Sequence, residues 1–308
     1  FFEQSLTIRA NATNLDTPEI ATNYNNLGLC YNGKGDQDRG EEYYLKALAI
    51  WEQTLGANHS LVATSFSNLG TIYQKKGDLD RATSCYNKSL AIRLQALGPD
   101  HTDVASCYTN LGNIRAIKKD YDAALEYYGK SLCIQTSALG PGHPDVATNF
   151  NNVGAMYKNK GNIGEAIGNY SQALAIWEHS SNYLDIVRMS WNMAKSLREK
   201  APSFSLEAVS VGIEAVERAR LDLASAKTGI MAKALPLYYA GVDLSARDGN
   251  TEKAFEYSES LRSRGFLDQM GTEAALRLDG ITDGERTRLH ELVTVIDGTR
   301  RELERLNG

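Results

Sequence analysis

The sequence predicts an all-α solenoid, a superhelix of about six helical hairpins with one further helix at its end. Three observations predict it. A 42-residue frame is written four times. The apolar residues within each frame fall at helical spacing. Glycines and capping residues punctuate the frame at fixed places. The triplet Asn26-Leu27-Gly28 returns as Asn68-Leu69-Gly70, Asn110-Leu111-Gly112 and Asn152-Val153-Gly154, 42 residues on each time. Ile20, Val62, Val104 and Val146 hold one phase, and Tyr44, Tyr86, Tyr128 and Tyr170 another. A period of this length marks an array whose units bury their apolar flanks by stacking on their neighbours.

Taken in order, residues 1–16 read as the second helix of an earlier repeat. Phe1, Phe2, Leu6 and Ile8 stand 42 positions before Tyr43, Tyr44, Leu48 and Ile50, so further array is expected upstream. Four full repeats fill 17–182. In the first helix of each, Ile20, Tyr24, Leu27 and Tyr31 are spaced as one helical face. Its start is marked by Thr17-Pro18-Glu19, and later by His101-Thr102-Asp103 and His143-Pro144-Asp145. Thr caps, Pro fits the first turn, and an acidic side chain suits the positive helix end. Gly35, Gly77 and Gly161 then break the chain, and Asp36, Asp78, Asp120 or Asn162 caps the second helix. That helix closes at Gly56, Gly98 or Gly140. Gly28, Gly70, Gly112 and Gly154 lie inside helices, where Gly costs about 1 kcal/mol against Ala. With Gly40, Ala82, Ala124 and Ala166 across the hairpin, they predict a close helix–helix approach.

After residue 182 the period slips. Residues 183–276 read as two divergent hairpins. The first has helices over 183–200 and 204–222 with Pro202 in the turn; the second runs from about 226 to 270 and turns at Asp248-Gly249-Asn250. Residues 277–284 read as a loop. The last segment, 285–308, is one amphipathic helix carrying Leu289, Leu292, Ile296, Leu303 and Leu306.

Leu-Gly-x-x-Tyr, then Gly-Asp or Gly-Asn, then a small residue with Tyr four places on, resembles the tetratricopeptide repeat (TPR). The 42-residue frame, with Leu-Gly-x-x-His-x-Asp-Val-Ala between units, is similar to the kinesin-light-chain type of that repeat. The resemblance covers roughly residues 1–180 and implies that the superhelix is right-handed. One departure is Arg115, where the other repeats have Tyr31, Tyr73 and Tyr157; looser packing is expected there. The stretch from Ala254 to Asp268 resembles the last helix before the protease domain of caspase-like TPR-CHAT proteins. That resemblance implies an alternative, a regulatory region whose catalytic domain lies outside this chain. The kinesin-light-chain resemblance implies another, a cargo adaptor.

Composition narrows the field. The formal net charge is −5 and no long basic run occurs, which speaks against nucleic acid as a partner. No apolar run approaches the roughly 20 residues of a membrane helix. Cys30, Cys85, Cys107 and Cys133 form no C-x-x-C pair and read as buried free thiols of a reducing compartment, hence a cytoplasmic protein. No phosphate-cradling glycine loop, H-E-x-x-H or G-x-S-x-G is written, so neither catalysis nor a cofactor is expected. His59, His101 and His143 recur at 42-residue spacing. Successive repeats stand about 10 Å apart, too far for one ion with bonds of about 2 Å; these histidines read as local caps, not metal ligands.

The candidate site is a ladder of amides: Asn26, Asn68, Asn110 and Asn152, with Asn192 as a fifth rung. A carboxamide both donates and accepts, so it can hold an extended peptide backbone. In TPR arrays the first helix lines the concave side, so the resemblance places the ladder in a groove. The alternative is that each Asn bonds a neighbouring helix. Asn25, Ser67, Thr109 and Asn151 stand beside the rungs, and Trp191 shares the phase of Asn25 and Asn151; Thr22, Thr64, Ser106 and Thr148 lie one turn earlier. Lys75, Lys76, Lys118, Lys119, Lys158, Lys195 and Arg198 follow toward the helix ends. They compensate the helix C-terminus or favour an acidic partner. The expected ligand is therefore a peptide or protein segment, with a second copy a further candidate through the terminal helix.

Overall fold

A computed structural model describes residues 17–178, 183–222, 227–250, 252–254 and 256–257. Among them the chain is helical, without strands. Residues 1–16, most of the second helix of the sixth hairpin, the 277–284 loop and the 285–308 helix lie outside the described residues, as does most of the Ala254–Asp268 stretch. The chain divides into two compact units between Asn162 and Ile163.

The first unit holds α1 (Pro18–Gly33), α2 (Gln37–Leu55), α3 (Ser60–Lys75), α4 (Leu79–Leu97), α5 (Thr102–Ile117), α6 (Tyr121–Leu139) and α7 (Pro144–Lys160). α1 packs on α2, α3 on α4 and α5 on α6 as hairpins; α2 then packs on α3, α4 on α5 and α6 on α7. The second unit holds α8 (Ile163–Glu178), α9 (Tyr183–Leu197), α10 (Pro202–Asp222) and α11 (Lys227–Arg247). Pro202 opens α10 rather than lying in the turn before it, because its missing N–H is one a helix start leaves unpaired.

The helix starts are built as the caps predict. Thr17 Oγ1 accepts from Ile20 N at 3.4 Å. His59, His101 and His143 cap through Nδ1, which accepts the N–H of Leu61, Asp103 and Asp145 at 3.2, 3.1 and 3.2 Å. Asp36, Asp78 and Asp120 cap the second helices by accepting from Arg39, Arg81 and Ala123 N. The Arg39 backbone N–H and then its side chain hold the Asp36 carboxyl below the usual range.

The third repeat departs in a compensated way. Arg39 and Arg81 each lie 4.3 Å over the ring of Tyr31 and Tyr73 and also pair with the capping Asp. Where the third repeat has Ala123, Arg115 takes over and stands 3.5 Å from Asp120. Lys119 occupies the left-handed backbone region, φ 61°, that Gly35 and Gly77 occupy in the earlier turns. A non-glycine residue there is strained by about 1–2 kcal/mol, so Lys119→Gly is expected to stabilise the unit by about 1 kcal/mol in chemical denaturation.

The core repeats with the sequence. Ile20, Val62, Val104 and Val146 are buried, as are Ala21, Ala63, Ala105 and Ala147. The helix-interior glycines lie under aromatic rings: a Cβ on Gly28, Gly70 or Gly112 would stand 2.7 Å from Tyr44, Tyr86 or Tyr128. The tightest approach is thus to a tyrosine. The small residue opposite comes close as well, since a Cβ on Gly40 would stand 3.5 Å from the Gly28 carbonyl. Burial pushes Tyr128 upward in pKa. Burial, with the Glu41 carboxylate 2.8 Å away, raises Tyr73 to about 12.

Polar ties join successive repeats at their turns. Lys76 reaches back to Asp38 and Glu41, each at 2.6 Å; Lys118 reaches Asp80 at 2.7 Å, and Lys160 reaches Asp122. Lys75 donates to Asn32 at 2.7 Å. In the second unit, Arg198 and Arg247 approach the buried carboxylate of Asp243 at 2.5 and 3.0 Å. All four thiols are free, but only Cys107 is buried; Cys30 and Cys133 are exposed. Their helical register points them away from the core, which corrects the expectation of buried thiols. Among the described residues, no helix is long and apolar enough to cross a membrane.

Candidate functional site

The ladder residues share one position on α1, α3, α5 and α7, each one residue before a buried Leu or Val. That neighbour anchors the helix face, so the Asn turns partly outward: Asn26, Asn68, Asn110 and Asn152 are all half-buried. Their surroundings differ. Asn68 Nδ2 donates to Asn25 Oδ1 at 2.9 Å, a bond across 43 residues and therefore between repeats. This is the intra-array alternative, realised at one rung. The amides of Asn26, Asn110 and Asn152 make no hydrogen bond to another described residue. In the second unit, Asn192 is exposed and Trp191 half-buried on α9.

The row beside the ladder turns inward in the middle repeats. Ser67 Oγ lies 2.8 Å from Ser89 Oγ, and Thr109 Oγ1 lies 2.8 Å from Ser131 Oγ. These hydroxyls tie the first helix to the second. The earlier row, Thr22, Thr64, Ser106 and Thr148, donates to carbonyls four residues back at 2.9–3.2 Å. Asn151 is half-buried on α7. Lys76 and Lys118 are paired with carboxylates inside the array, and Lys75 donates to the neutral amide of Asn32.

Sequence reasoning passed over a buried polar cluster. At the register of Trp51 the second and third repeats carry Arg93 and Gln135, and the fourth returns to Trp177. The residue four earlier alternates with it: Ala47, Ser89, Ser131, Ala173. Each large aromatic comes with an alanine and each polar residue with a serine. The Arg93 guanidinium donates to Asp103 O at 3.1 Å and lies 3.4 Å from Cys107 Sγ. Asn149 Nδ2 donates to Ser131 Oγ at 2.9 Å and Gln135 Oε1 at 2.7 Å. Asn149 Oδ1 lies 3.3 Å from the Thr109 hydroxyl. Gln135 and Asn149 are 5% and 1% exposed, so the network lies almost wholly buried beneath the ladder.

Above it lies a cleft of about 210 Å³ between α5 and α7. Gln135 and Asn149 form its floor; Ser106, Thr109, Asn110, Asp145 and Thr148 complete the lining. A rung of the ladder and the polar rows beside it therefore converge on one concave place. Among the described residues no group of three His, Cys, Asp or Glu side chains could hold a metal ion.

Comparison with known proteins sets this arrangement in context. The sequence pattern of the tetratricopeptide repeat matches residues 19–95, 61–136 and 109–179. No curated protein matches the sequence. Among solved structures the chain is similar to BtubC (BKLC) from P. vanneervenii, at 26% identity over 57% of this chain and 70% of that one, with a TM-score of 0.52. It is also similar to the nearly identical TPR-like repeats of a Podosopora anserina putative kinesin light chain. There the identity is 20%, the coverage 68% of this chain and 99% of the other, and the TM-score 0.51. The apo form of RapI superposes over 87% of this chain and 90% of its own at 13% identity, TM-score 0.58. The last two likenesses concern the fold alone.

Proposed function

The chain belongs to the tetratricopeptide repeat family, and from that premise we propose that it is a non-catalytic scaffold holding an extended peptide or partner segment along the face of its first helices. Stacked repeats build extended concave surfaces suited to this task. The observation that carries the reading is the row of half-buried amides at one register, with Asn26, Asn110 and Asn152 unclaimed by other described residues. An extended peptide presents a donor and an acceptor at every residue, and a carboxamide meets both. Asn68 would serve differently, its amide being shared with Asn25. Selection for acidic ligands does not follow from Lys76 and Lys118, because their charges are partnered within the array. Recognition would rest on the peptide backbone and on the cleft at Asn110.

The test is binding of a random nine-residue peptide library, read by retention on the immobilised chain and calorimetry on the retained sequences. Asn110→Ala/Asn152→Ala is expected to weaken binding about fivefold or more, since two lost hydrogen bonds amount to about 1–3 kcal/mol. Thermal stability should change little, as neither amide bonds another described residue. Unchanged affinity in a folded double variant would exclude the ladder as the contact.

A further inference from the structure

The cleft at Asn110 has a chemistry of its own. Its floor is a network in which nearly every atom is matched. Asn149 Nδ2 serves Ser131 and Gln135 Oε1, and Asn149 Oδ1 faces the Thr109 hydroxyl. Gln135 Nε2 is the exception. It donates to no other described residue and is not among the sealed, unsatisfied atoms of the interior, so its N–H groups open on the cleft that Gln135 lines. On the rim, Asp145 is the only lining residue with a formal charge, and its side chain is 60% exposed. A donor at the bottom and an acceptor at the edge face one space of about 210 Å³. That is about seven waters' worth of volume, counting roughly 30 Å³ for each, and is ample for one medium-sized side chain.

We infer that this cleft is a side-chain pocket selecting a carboxamide, glutamine or asparagine, from the bound segment. The inference rests on the groove reading above and adds the ligand's identity at one position. A carboxamide carries an acceptor and two donors on one planar group, so its oxygen meets Gln135 Nε2 and its nitrogen meets Asp145. A carboxylate would face Asp145 with like charge. An ammonium would present only donors to the Gln135 donor, and an aliphatic side chain would leave that N–H buried without a partner. Asn110, on the lining, holds the adjoining backbone so that the side chain drops into the pocket. The equivalent register in the first and fourth repeats carries Trp51 and Trp177, so the pocket belongs to the third repeat.

The register also supplies the variant that closes it. Ser131→Ala/Gln135→Trp/Asn149→Ser copies the first repeat's buried trio of Ala47, Trp51 and Ser65 and leaves no amide stranded. The probes are four acetylated and amidated nine-residue libraries, random except for a central Gln, Glu, Lys or Leu. The wild-type chain is expected to retain the Gln library about tenfold better than the other three. The triple variant should still bind peptides with that preference gone. Equal retention by the wild type, or an unchanged preference in the folded triple variant, would overturn the pocket while leaving the groove reading intact. Should the triple variant fail to fold, Gln135→Glu replaces it: with acceptors at both ends of the pocket the preference is expected to move to the Lys library, and unchanged retention of all four libraries would overturn the pocket. Should the wild type retain no library, the groove reading fails, and titration with propionamide decides the pocket alone. Saturating shifts of the Gln135 and Asn149 side-chain amide resonances, absent with propionate, would sustain it; no shift would overturn it.

Discussion

Replacing Gly112 by valine is expected to destabilise the first unit by about 3 kcal/mol, near the upper end of ordinary overpacking. An added Cβ alone would stand 2.7 Å from the Tyr128 ring, closer than carbon atoms approach without something moving. The ring is 2% exposed, and its hydroxyl donates to Asn113 at 2.7 Å, so it has little room to yield. Gly129→Ala is the control. Gly129 also lies inside a helix, α6, but a Cβ there meets nothing within 4 Å. That change is expected to stabilise by about 0.5–1 kcal/mol through helix propensity. Urea denaturation of both variants checks the pair. A neutral Gly112→Val, or equal effects at the two sites, would show that the glycine is not there for the ring.

The partner residue gives the second large effect. Tyr86→Ala is expected to cost about 3–5 kcal/mol, the range for removing a buried aromatic. Tyr86 is 1% exposed and belongs to a core that reaches from Ile20 and Trp51 to Leu111 and Ile114, so the cavity would lie inside contacts shared by several repeats. Tyr86→Phe separates the ring from its hydroxyl. That hydroxyl lies 3.2 Å from Thr71 Oγ1 and donates to Gln74 Oε1 at 3.1 Å; its loss should take about 1 kcal/mol. Because repeat arrays are stabilised by nearest-neighbour interfaces, hydrogen exchange should show α3, α4 and α5 losing protection first in Tyr86→Ala. Uniform loss across the unit would point to a single cooperative block instead.

The hairpins were legible because their causes are local and repeated. A helical apolar stripe, a left-handed glycine and a capping side chain each act within a few residues, so His59, His101 and His143 could be read as caps from sequence. The cleft was not legible in the same way. Trp51, Arg93, Gln135 and Trp177 occupy one register, and aligning the repeats displays the change. Yet a single Gln between Ile134 and Thr136 reads as surface until the helices on either side are known to bury it. The inward turn of Ser67 and Thr109 was hidden for a related reason. Their partners Ser89 and Ser131 lie 22 residues away on another helix, and helical periodicity carries no information about that pairing. The same limit explains the lysines, whose partners Asp38 and Asp80 lie 38 residues back.

The most direct test of peptide recognition along the first helices is an isotope-filtered nuclear Overhauser experiment on the chain with a retained peptide. Such recognition predicts contacts from the peptide's backbone protons to the side-chain amides of Asn110 and Asn152. Contacts confined to the second helices, with both amides silent, would contradict it.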